Sequence, residues 1–330
     1  MRRARAMIVA QCQEACAENR CRVASALLQV AGRVIVAMNP PSASQRDSAF
    51  SLTDLIVVLA VVLVLAALQL PSAAGTKGKG QSASCLYNHR QLVRAWQLYA
   101  RDNGGRLVGN LDGGNGAMSL SNSNKSWVLG WLDFQGGQPF GANTNTLLLT
   151  ASSPLAPYLS RSAAVFKCPV DTSLSLGRKG LPRVRSVSMN GYLGDKFNGR
   201  SAPDSGAYSA GYWQFKKLSE IVTPSPSQEF VFIDEREDSI NDGVLQIDMG
   251  GFDPQRPSSY TIVDYPADWH DRGVNLSFVD GHTESWRWHD RRTMPPHRFG
   301  APIPLAVPSP NNEDVARIQA AASRRVRLTP

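Results

Sequence analysis

The sequence lacks the short motifs by which several common enzyme classes are recognised. Its 330 residues contain no Gly-x-Ser-x-Gly nucleophile elbow, no glycine-rich phosphate loop and no His-Glu-x-x-His pair. These absences weigh against hydrolase, nucleotide-dependent and metalloprotease chemistry. They favour a protein that is not an enzyme.

The sequence also lacks a basic patch, although its formal net charge is +8. Positions 1–49 hold seven arginines against three acidic residues, and the other +4 is spread over residues 50–330. Surfaces that bind nucleic acid concentrate their basic side chains, often between aromatic ones. We therefore expect no nucleic-acid partner.

Cysteine is scarce, with five residues in the chain. The three that precede residue 49 are irregularly spaced and have no histidine nearby, which argues against a zinc site there. Cys85 and Cys168 form an even set and predict one disulfide in an oxidising compartment. Two unrelated buried thiols are the alternative.

What the sequence does contain is a long apolar run. Residues 50–70 would form a helix about 31 Å long, enough for a hydrocarbon core of roughly 30 Å, and no polar residue occurs between Leu55 and Leu68. This predicts a membrane-spanning helix. A cleavable signal peptide is the rival interpretation, because the small residues at 72–75 could serve as its cleavage site.

The residues at the start of the apolar run resemble a known processing motif. Ala49-Phe50-Ser51-Leu52-Thr53-Asp54 resembles the type IV prepilin processing motif, in which glycine precedes the cut and glutamate follows it. The resemblance implies that a prepilin peptidase cleaves between Ala49 and Phe50 and methylates the new N-terminus. It also implies that Asp54, in the place of the glutamate, pairs with the Phe50 amine of a neighbouring subunit. An acid inside a membrane is tolerated when such a partner is supplied.

The segment before Phe50 is predicted to be a leader. Met38 is an alternative start, which would leave a polar leader of 12 residues. Because the basic residues precede the apolar run, the N-terminus is expected in the cytoplasm and the rest outside it. The predicted organisation is a leader (1–49), a transmembrane and assembly helix (50–70), the second half of the stem (71–103), an extracytoplasmic head (104–300) and a proline-rich tail with a short helix (301–330).

Beyond the run, helical spacing resumes after a glycine-rich stretch at 75–80 that should loosen the helix. Cys85, His89, Leu92, Trp96 and Tyr99 follow one helical face, which ends at residues 102–105. Short strands are predicted later, at 126–134, 183–189, 228–234, 243–249, 274–280 and 283–288, with a terminal helix over 313–327. The last two strands read as a hairpin that turns at Asp280-Gly281.

Several further motifs extend the resemblance to most of residues 49–320. They are Ser84-Cys85-Leu86, Phe166-Lys167-Cys168-Pro169, Arg185–Asn190, and His270 followed after nine residues by Asp280-Gly281. Together they resemble bacterial prepilin-like proteins of the H-X9-DG type, which are related to type II secretion pseudopilins. The resemblance implies an α+β, type IV pilin-like fold, with a long N-terminal membrane helix and a mainly antiparallel β head. It implies a non-enzymatic subunit, single-pass in the bacterial inner membrane, whose partners are prepilin peptidase and other pilin-like subunits.

Two polar groups are candidate sites. Closely spaced oxygen ligands that suit Ca²⁺ follow the predicted strand at 228–234, namely Asp234, Glu235, Asp238, Asn241 and Asp242, although a solvated acidic loop would look the same. His270, Asp280 and His282 could bind a transition metal or perform acid–base chemistry, or His270 could simply fix the hairpin. These groups keep a second class of function open: a membrane-tethered, metal-dependent enzyme or a glycan-binding head.

Overall fold

The computed structural model of the chain describes residues 52–113, 118–138, 140–196 and 211–326. The chain divides into two compact units, residues 1–67 and residues 68–330. The α-helices of the described part are α1 (Leu52–Asp102), α2 (Leu147–Thr150) and α3 (Glu313–Ala320). Short 3-10 helices lie at Leu120–Asn122, Ala156–Leu159, Ala164–Phe166, Leu218–Glu220 and Pro257–Ser259. The strands are β1 (Leu174–Leu176), β2 (Lys179–Pro182), β3 (Val187–Asn190), β4 (Phe230–Asp234), β5 (Val244–Leu245), β6 (Thr261–Ile262), β7 (Gly273–Phe278), β8 (Thr283–Arg287) and β9 (Val307–Pro308).

Helix α1 is continuous across residues 75–80, where the glycines were expected to loosen it. It ends where the sequence predicts. Gly104 and Gly105 adopt left-handed backbone angles, with φ of 64° and 80°. The N–H of Gly105 donates a 2.7 Å hydrogen bond to the carbonyl of Ala100, which caps the C-terminus.

The prediction of a membrane stem is wrong. Crossing a hydrocarbon core takes about 20 consecutive apolar residues, and runs of roughly 10–14 are more typical of other helices. The uninterrupted apolar part of α1 is the 14 residues from Leu55 to Leu68. Within the described ranges no helix is long and apolar enough to span a membrane. This finding overturns the single-pass inner-membrane location and the pilin-like fold class that was built on such a stem.

The predicted processing residues Ala49 and Phe50 lie outside the described part of the chain, as does the side chain of Asp54. The cleavage, the methylation and the pairing of Asp54 with a neighbouring amine therefore stay predictions. So does the leader over 1–49.

The central sheet has five strands in the order β5-β3-β4-β7-β8. All neighbours are antiparallel except β3 and β5, which run parallel. The predicted hairpin is confirmed, because β7 and β8 pair from Gly273 opposite Arg287 to Ser277 opposite Thr283. The strand predicted over 126–134 is wrong, since this stretch contributes only one isolated bridge, at Ser126.

Both faces of the sheet are covered by apolar side chains. One face packs against the second half of α1, whose buried residues Leu92, Val93 and Trp96 meet β3 and β4. The opposite face holds Val274 and Leu276 of β7 and packs against α3 and the aromatic side chains of β8 and its continuation. Because both faces of the sheet are covered, every residue of β4 and of β7 is buried. The candidate centre lies in this interior.

Candidate metal centre

Helix α1 contributes two polar side chains to the interior. Cys85 and His89 are four residues apart and so lie on one helical face, which continues into the core through Leu92 and Trp96. Cys85 is 1 % exposed and His89 is fully buried. The packing of α1 on the sheet therefore carries a thiol and an imidazole out of solvent.

Cys168 reaches the same region from a loop. It follows the 3-10 helix Ala164–Phe166, and its backbone N–H donates a 2.8 Å hydrogen bond to Ser186 Oγ. The N–H of Ser186 in turn donates to the carbonyl of Phe166 at 3.1 Å. These two bonds fix the fully buried Cys168 against the residue that precedes β3.

The sheet supplies the other two groups. Asp234 is the last residue of β4, is fully buried and pairs with Val187 of β3. His270 lies in the tight turn before β7, where its N–H donates to the carbonyl of Gly273 at 3.0 Å. Asp271 and Arg272 form that turn with positive φ angles of 53° and 63°. The turn directs His270 inward, and its side chain is 4 % exposed.

The side chains meet around the carboxylate of Asp234. Cys85 Sγ donates a 3.0 Å hydrogen bond to Asp234 Oδ2, and His270 Nε2 lies 3.8 Å from the same oxygen. His89 Nε2 lies 3.3 Å from the other oxygen, Oδ1. Cys168 Sγ is 3.3 Å from His270 Nε2. The ligand atoms of Cys85, Cys168, Asp234 and His270 all lie within 4.8 Å of one another, so this cluster could hold a metal ion.

Burial and close contact perturb the acidities within the centre. Burial raises the pKa of Cys85, and the neighbouring Cys168 and Asp234 add to this rise. The hydrogen bond from Cys85 lowers the pKa of Cys168 to about 7, although burial acts in the opposite direction. Burial would lower the pKa of His270, but its hydrogen bonds with Asp234 and Cys168 outweigh burial and raise the pKa to about 9. The centre thus favours a thiolate on Cys168 and an imidazolium on His270.

This arrangement is poorly suited to turnover of a substrate. Reactive cysteines are at least partly accessible, because the thiolate must reach its target. Here both sulfur atoms belong to residues that are at most 1 % exposed. The centre can hold chain segments together or bind an ion, but it presents no face to a solvent-borne molecule.

The predicted disulfide is absent, because Cys85 and Cys168 are both free, buried thiols. The structure brings the two residues together, as a disulfide would require. However, one sulfur is directed to the carboxylate of Asp234 and the other to the ring of His270. Each sulfur has a polar partner other than its counterpart.

The predicted Ca²⁺ loop is not formed, since its carboxylates turn to separate partners. Asp234 belongs to the thiol centre, Glu235 accepts hydrogen bonds from Ser188 and Ser239, and Asp238 pairs with Arg236. The side chain of Asn241 accepts a hydrogen bond from the backbone N–H of Asp242. The side chain of Asp242 accepts from the backbone N–H groups of Gly113 and Val244. The segment is therefore neither a calcium loop nor a solvated acidic loop, because most of it is buried.

The second candidate group is also divided. His270 stands before β7, whereas Asp280 and Gly281 follow the far end of that strand. Asp280 Oδ1 lies 2.5 Å from His282 Nδ1, and His282 also contacts Glu284 at 3.2 Å, at a partly exposed turn. Gly281 has a φ of 96°, and a Cβ there would lie 3.1 Å from Gln97 of α1. One end of the motif thus enters the thiol centre, and the other forms a turn beside the end of α1.

Sequence reasoning missed the roles of His89 and Asp234. The sequence predicts His89 only as one residue of a helical face, and Asp234 as a candidate Ca²⁺ ligand, with a solvated acidic loop as the alternative. The available signal was the spacing of Cys85 and His89, which places both on the face that carries Leu92 and Trp96. The partner, Asp234, is 145 residues beyond His89, and no local pattern connects them.

A separate cleft opens at the surface of the same unit. It has a volume of about 440 Å³ and is lined among others by Phe134, Trp269, Phe299, Asp171, Glu237 and His297. His297 bridges two carboxylates, with Nε2 2.8 Å from Asp268 and Nδ1 3.0 Å from Glu237. These two hydrogen bonds raise the pKa of His297 to about 9. Burial raises the pKa of Asp171.

Comparison of the chain with models of known protein families, with curated proteins and with solved structures finds no match in any of the three. The resemblance to prepilin-like proteins therefore depends on the motifs alone.

Proposed function

We propose that this chain is a non-enzymatic, prepilin-like subunit that takes part in a type II secretion or pilus-like assembly. The observation that carries the proposal is where the motif segments lie. Cys85, Cys168, the strand that begins at Val187, and His270 come from four distant stretches of sequence. All four contribute to one buried junction between α1 and the sheet.

Cysteine and histidine side chains often serve catalysis where a substrate can reach them, but Cys85 and Cys168 of this junction are buried. A junction from which solvent is excluded offers no access to a substrate, whereas it fixes a helix firmly on a sheet. A subunit that assembles through its N-terminal helix needs such a fixed attachment, because force on the helix must reach the folded part. The burial of the junction thus supports a structural role.

The N-terminus tests the proposal directly. The full chain would be produced in a bacterium with and without a prepilin peptidase, and the N-terminal peptide identified by mass spectrometry. We expect a methylated Phe50 terminus only when the peptidase is present. Ala49→Gly should increase the processed fraction, because glycine precedes the cut in the motif that this segment resembles.

The same experiment defines failure. A terminus that begins at Met1 or Met38 in the presence of active peptidase would contradict the proposal. A cut near residue 75 would instead support a cleavable signal peptide. Asp54→Ala is the companion variant, expected to keep Phe50 as its terminus and to lose co-purification with other pilin-like subunits.

The surface cleft favours a second candidate, a glycan-binding head. Aromatic rings beside carboxylates are suited to the faces and hydroxyls of sugars, and Phe299 is 57 % exposed at the rim. Retention of the full chain on insoluble cellulose, chitin and peptidoglycan tests this role. Phe299→Ala should abolish retention, whereas Tyr87→Ala, which removes a similarly exposed aromatic ring on α1, should not. Equal retention of both variants would exclude the cleft as the binding site.

A further inference from the structure

Four metal-ligating side chains from four separate segments meet in the interior of residues 68–330. They are Cys85 of α1, Cys168 of the loop before β1, Asp234 of β4 and His270 of the turn before β7, and their ligand atoms lie within 4.8 Å of one another. Two thiols, an imidazole and a carboxylate are the donor types that zinc takes in four-coordinate sites. We propose that these four residues form a structural zinc site. The inference does not depend on the assembly role.

The spacing of the donor atoms suits a tetrahedron. Zinc–sulfur bonds of about 2.3 Å and zinc–nitrogen or zinc–oxygen bonds of about 2.0–2.2 Å place neighbouring ligand atoms roughly 3.3–3.8 Å apart. The separations are 3.3 Å between Cys168 Sγ and His270 Nε2 and 3.8 Å between His270 Nε2 and Asp234 Oδ2. Cys85 Sγ is 3.0 Å from Asp234 Oδ2, so an ion would move this pair apart by a fraction of an ångström.

Three buried polar atoms beside the proposed site lack a hydrogen bond. Asp234 Oδ1 and both ring nitrogens of His89 are buried without a hydrogen bond of good geometry. A buried polar group without partners is costly, so such atoms call for an explanation. With zinc on Oδ2, Oδ1 would remain turned to His89, whose Nε2 lies 3.3 Å away and would serve as an outer-shell partner of the ligand.

The protons and charges of the binding step balance. A zinc dication would displace two protons to solvent, one from the Cys85 thiol and one shared by the Cys168–His270 pair, and would bind two thiolates, one carboxylate and one neutral imidazole. The four ligands then carry three negative charges, which leaves −1 on the centre. His89 Nε2 is the polar atom that faces this centre across the outer oxygen of Asp234, at 3.3 Å.

The ligand set also defines the kind of metal and its role. Calcium takes six to eight oxygen ligands, whereas this centre has one carboxylate, so calcium does not fit. Four protein ligands leave no open position for water or substrate, which is the arrangement of structural rather than catalytic zinc. Such an ion would join α1 to the loop, to β4 and to the turn before β7 at a single point.

The zinc content of the purified chain tests the proposal. The full chain would be produced without a polyhistidine tag, purified under reducing conditions without chelators, and analysed by inductively coupled plasma mass spectrometry. We expect about one zinc per chain. The double variant Cys85→Ser/Cys168→Ser should lose it, whereas His282→Ala should retain it. His282 is the matched control because it also contacts two carboxylates, but at the surface.

Two further measurements keep the test decisive if the cysteine variant does not fold. The wild-type chain loaded with Co²⁺ should show a thiolate-to-cobalt charge-transfer band of the intensity expected for two thiolates, and Cys85→Ser alone should halve it. His89→Gln should keep the stoichiometry but lower the zinc affinity about 10–100-fold in a competition with a chromogenic chelator, as expected of an outer-shell partner.

Three results would overturn the proposal. One is a substoichiometric zinc content that does not rise when zinc is added to the reduced chain. The second is a disulfide between Cys85 and Cys168 in chain isolated in parallel without reductant and with free thiols blocked at lysis, since such a bond would exclude the metal. The third is a cobalt spectrum without thiolate charge transfer in the wild type.

Discussion

The two ends of strand β7 place similar residues in opposite environments. At its start, His270 lies beside Asp234 with its side chain 4 % exposed. Beyond its end, His282 lies beside Asp280 with side chains 36 % and 39 % exposed. Both are histidine–carboxylate pairs. The burial of such a pair, and not its composition, therefore determines how much it contributes to the free energy of unfolding. Water screens the charges of the exposed pair and is excluded from the buried one.

The buried end should dominate stability. Asp234→Ala removes the carboxylate that His270, His89 and Cys85 share, and leaves three buried polar side chains without their common partner. We expect the metal-free chain to lose about 3–5 kcal/mol of the free energy of unfolding, measured by urea denaturation with tryptophan fluorescence. Asp280→Ala, the matched change at the exposed end, should cost less than about 1 kcal/mol. Equal losses would remove the distinction between the two ends.

His297 provides an intermediate case between the two ends. Its side chain is 23 % exposed, and Asp268 and Glu237 raise its pKa to about 9. Its unfolded-state pKa is about 6.5, so its contribution is complete below that pH and is lost as pH rises through about 9. The free energy of unfolding should fall by about 2–3 kcal/mol across this window because of His297. Urea titrations of the wild type and His297→Gln at several pH values isolate the effect, and identical slopes would contradict it.

The turn between β7 and β8 also tests how much backbone conformation and contact with α1 contribute to stability at the exposed end. Gly281 has a φ of 96°, and a Cβ added there would lie 3.1 Å from the side-chain nitrogen of Gln97, which donates a 2.8 Å hydrogen bond to the carbonyl of Val279. Gly281→Ala should cost about 1–2 kcal/mol of unfolding free energy, through backbone strain and contact with Gln97. Gly104→Ala is the control, because its φ is also positive but no atom lies within 4 Å of the added methyl group. If both variants lose the same stability, contact with α1 is not part of the cost.

The smallest effect is expected from the exposed pair itself. A double-mutant cycle of His282→Ala and Asp280→Ala should give a coupling energy of about 0.2–1 kcal/mol. Salt screens charges in solvent, so the coupling should vanish at high ionic strength. A coupling that persists in high salt would show that this pair is shielded from water as the buried one is.

Parts of the fold follow from local patterns. The hairpin over 274–288 could be predicted because Val274 and Leu276 alternate with polar residues and a turn dipeptide follows. The C-terminus of α1 could be predicted from its two glycines. The stretch at 126–134 is predicted as a short strand within a long loop. Trp127 and Val128 instead pack directly into the core from irregular backbone.

The candidate centre could be predicted only in part. The sequence predicts that Cys85 and Cys168 pair with each other and that His270 belongs with Asp280 and His282. It does not predict that the two cysteines and His270 share one site. Asp234 stands 36 residues before His270 and 66 after Cys168. Its pairing with them is created by the order of strands in the sheet and by the seating of α1. Periodicity within one segment carries no information on such long-range contacts.

The nine residues between His270 and Asp280-Gly281 contain strand β7, so their number affects the register of the sheet. A strand rises about 3.3 Å per residue and turns successive side chains to opposite faces. Inserting or deleting one residue there would direct Asn275 and Ser277 to the face that now holds Val274 and Leu276, and the reverse. The number of intervening residues thus sets the length of β7 and the face on which each side chain lies. Because every residue of β7 is buried, these positions should accept only substitutions that conserve size and polarity, and no change in number.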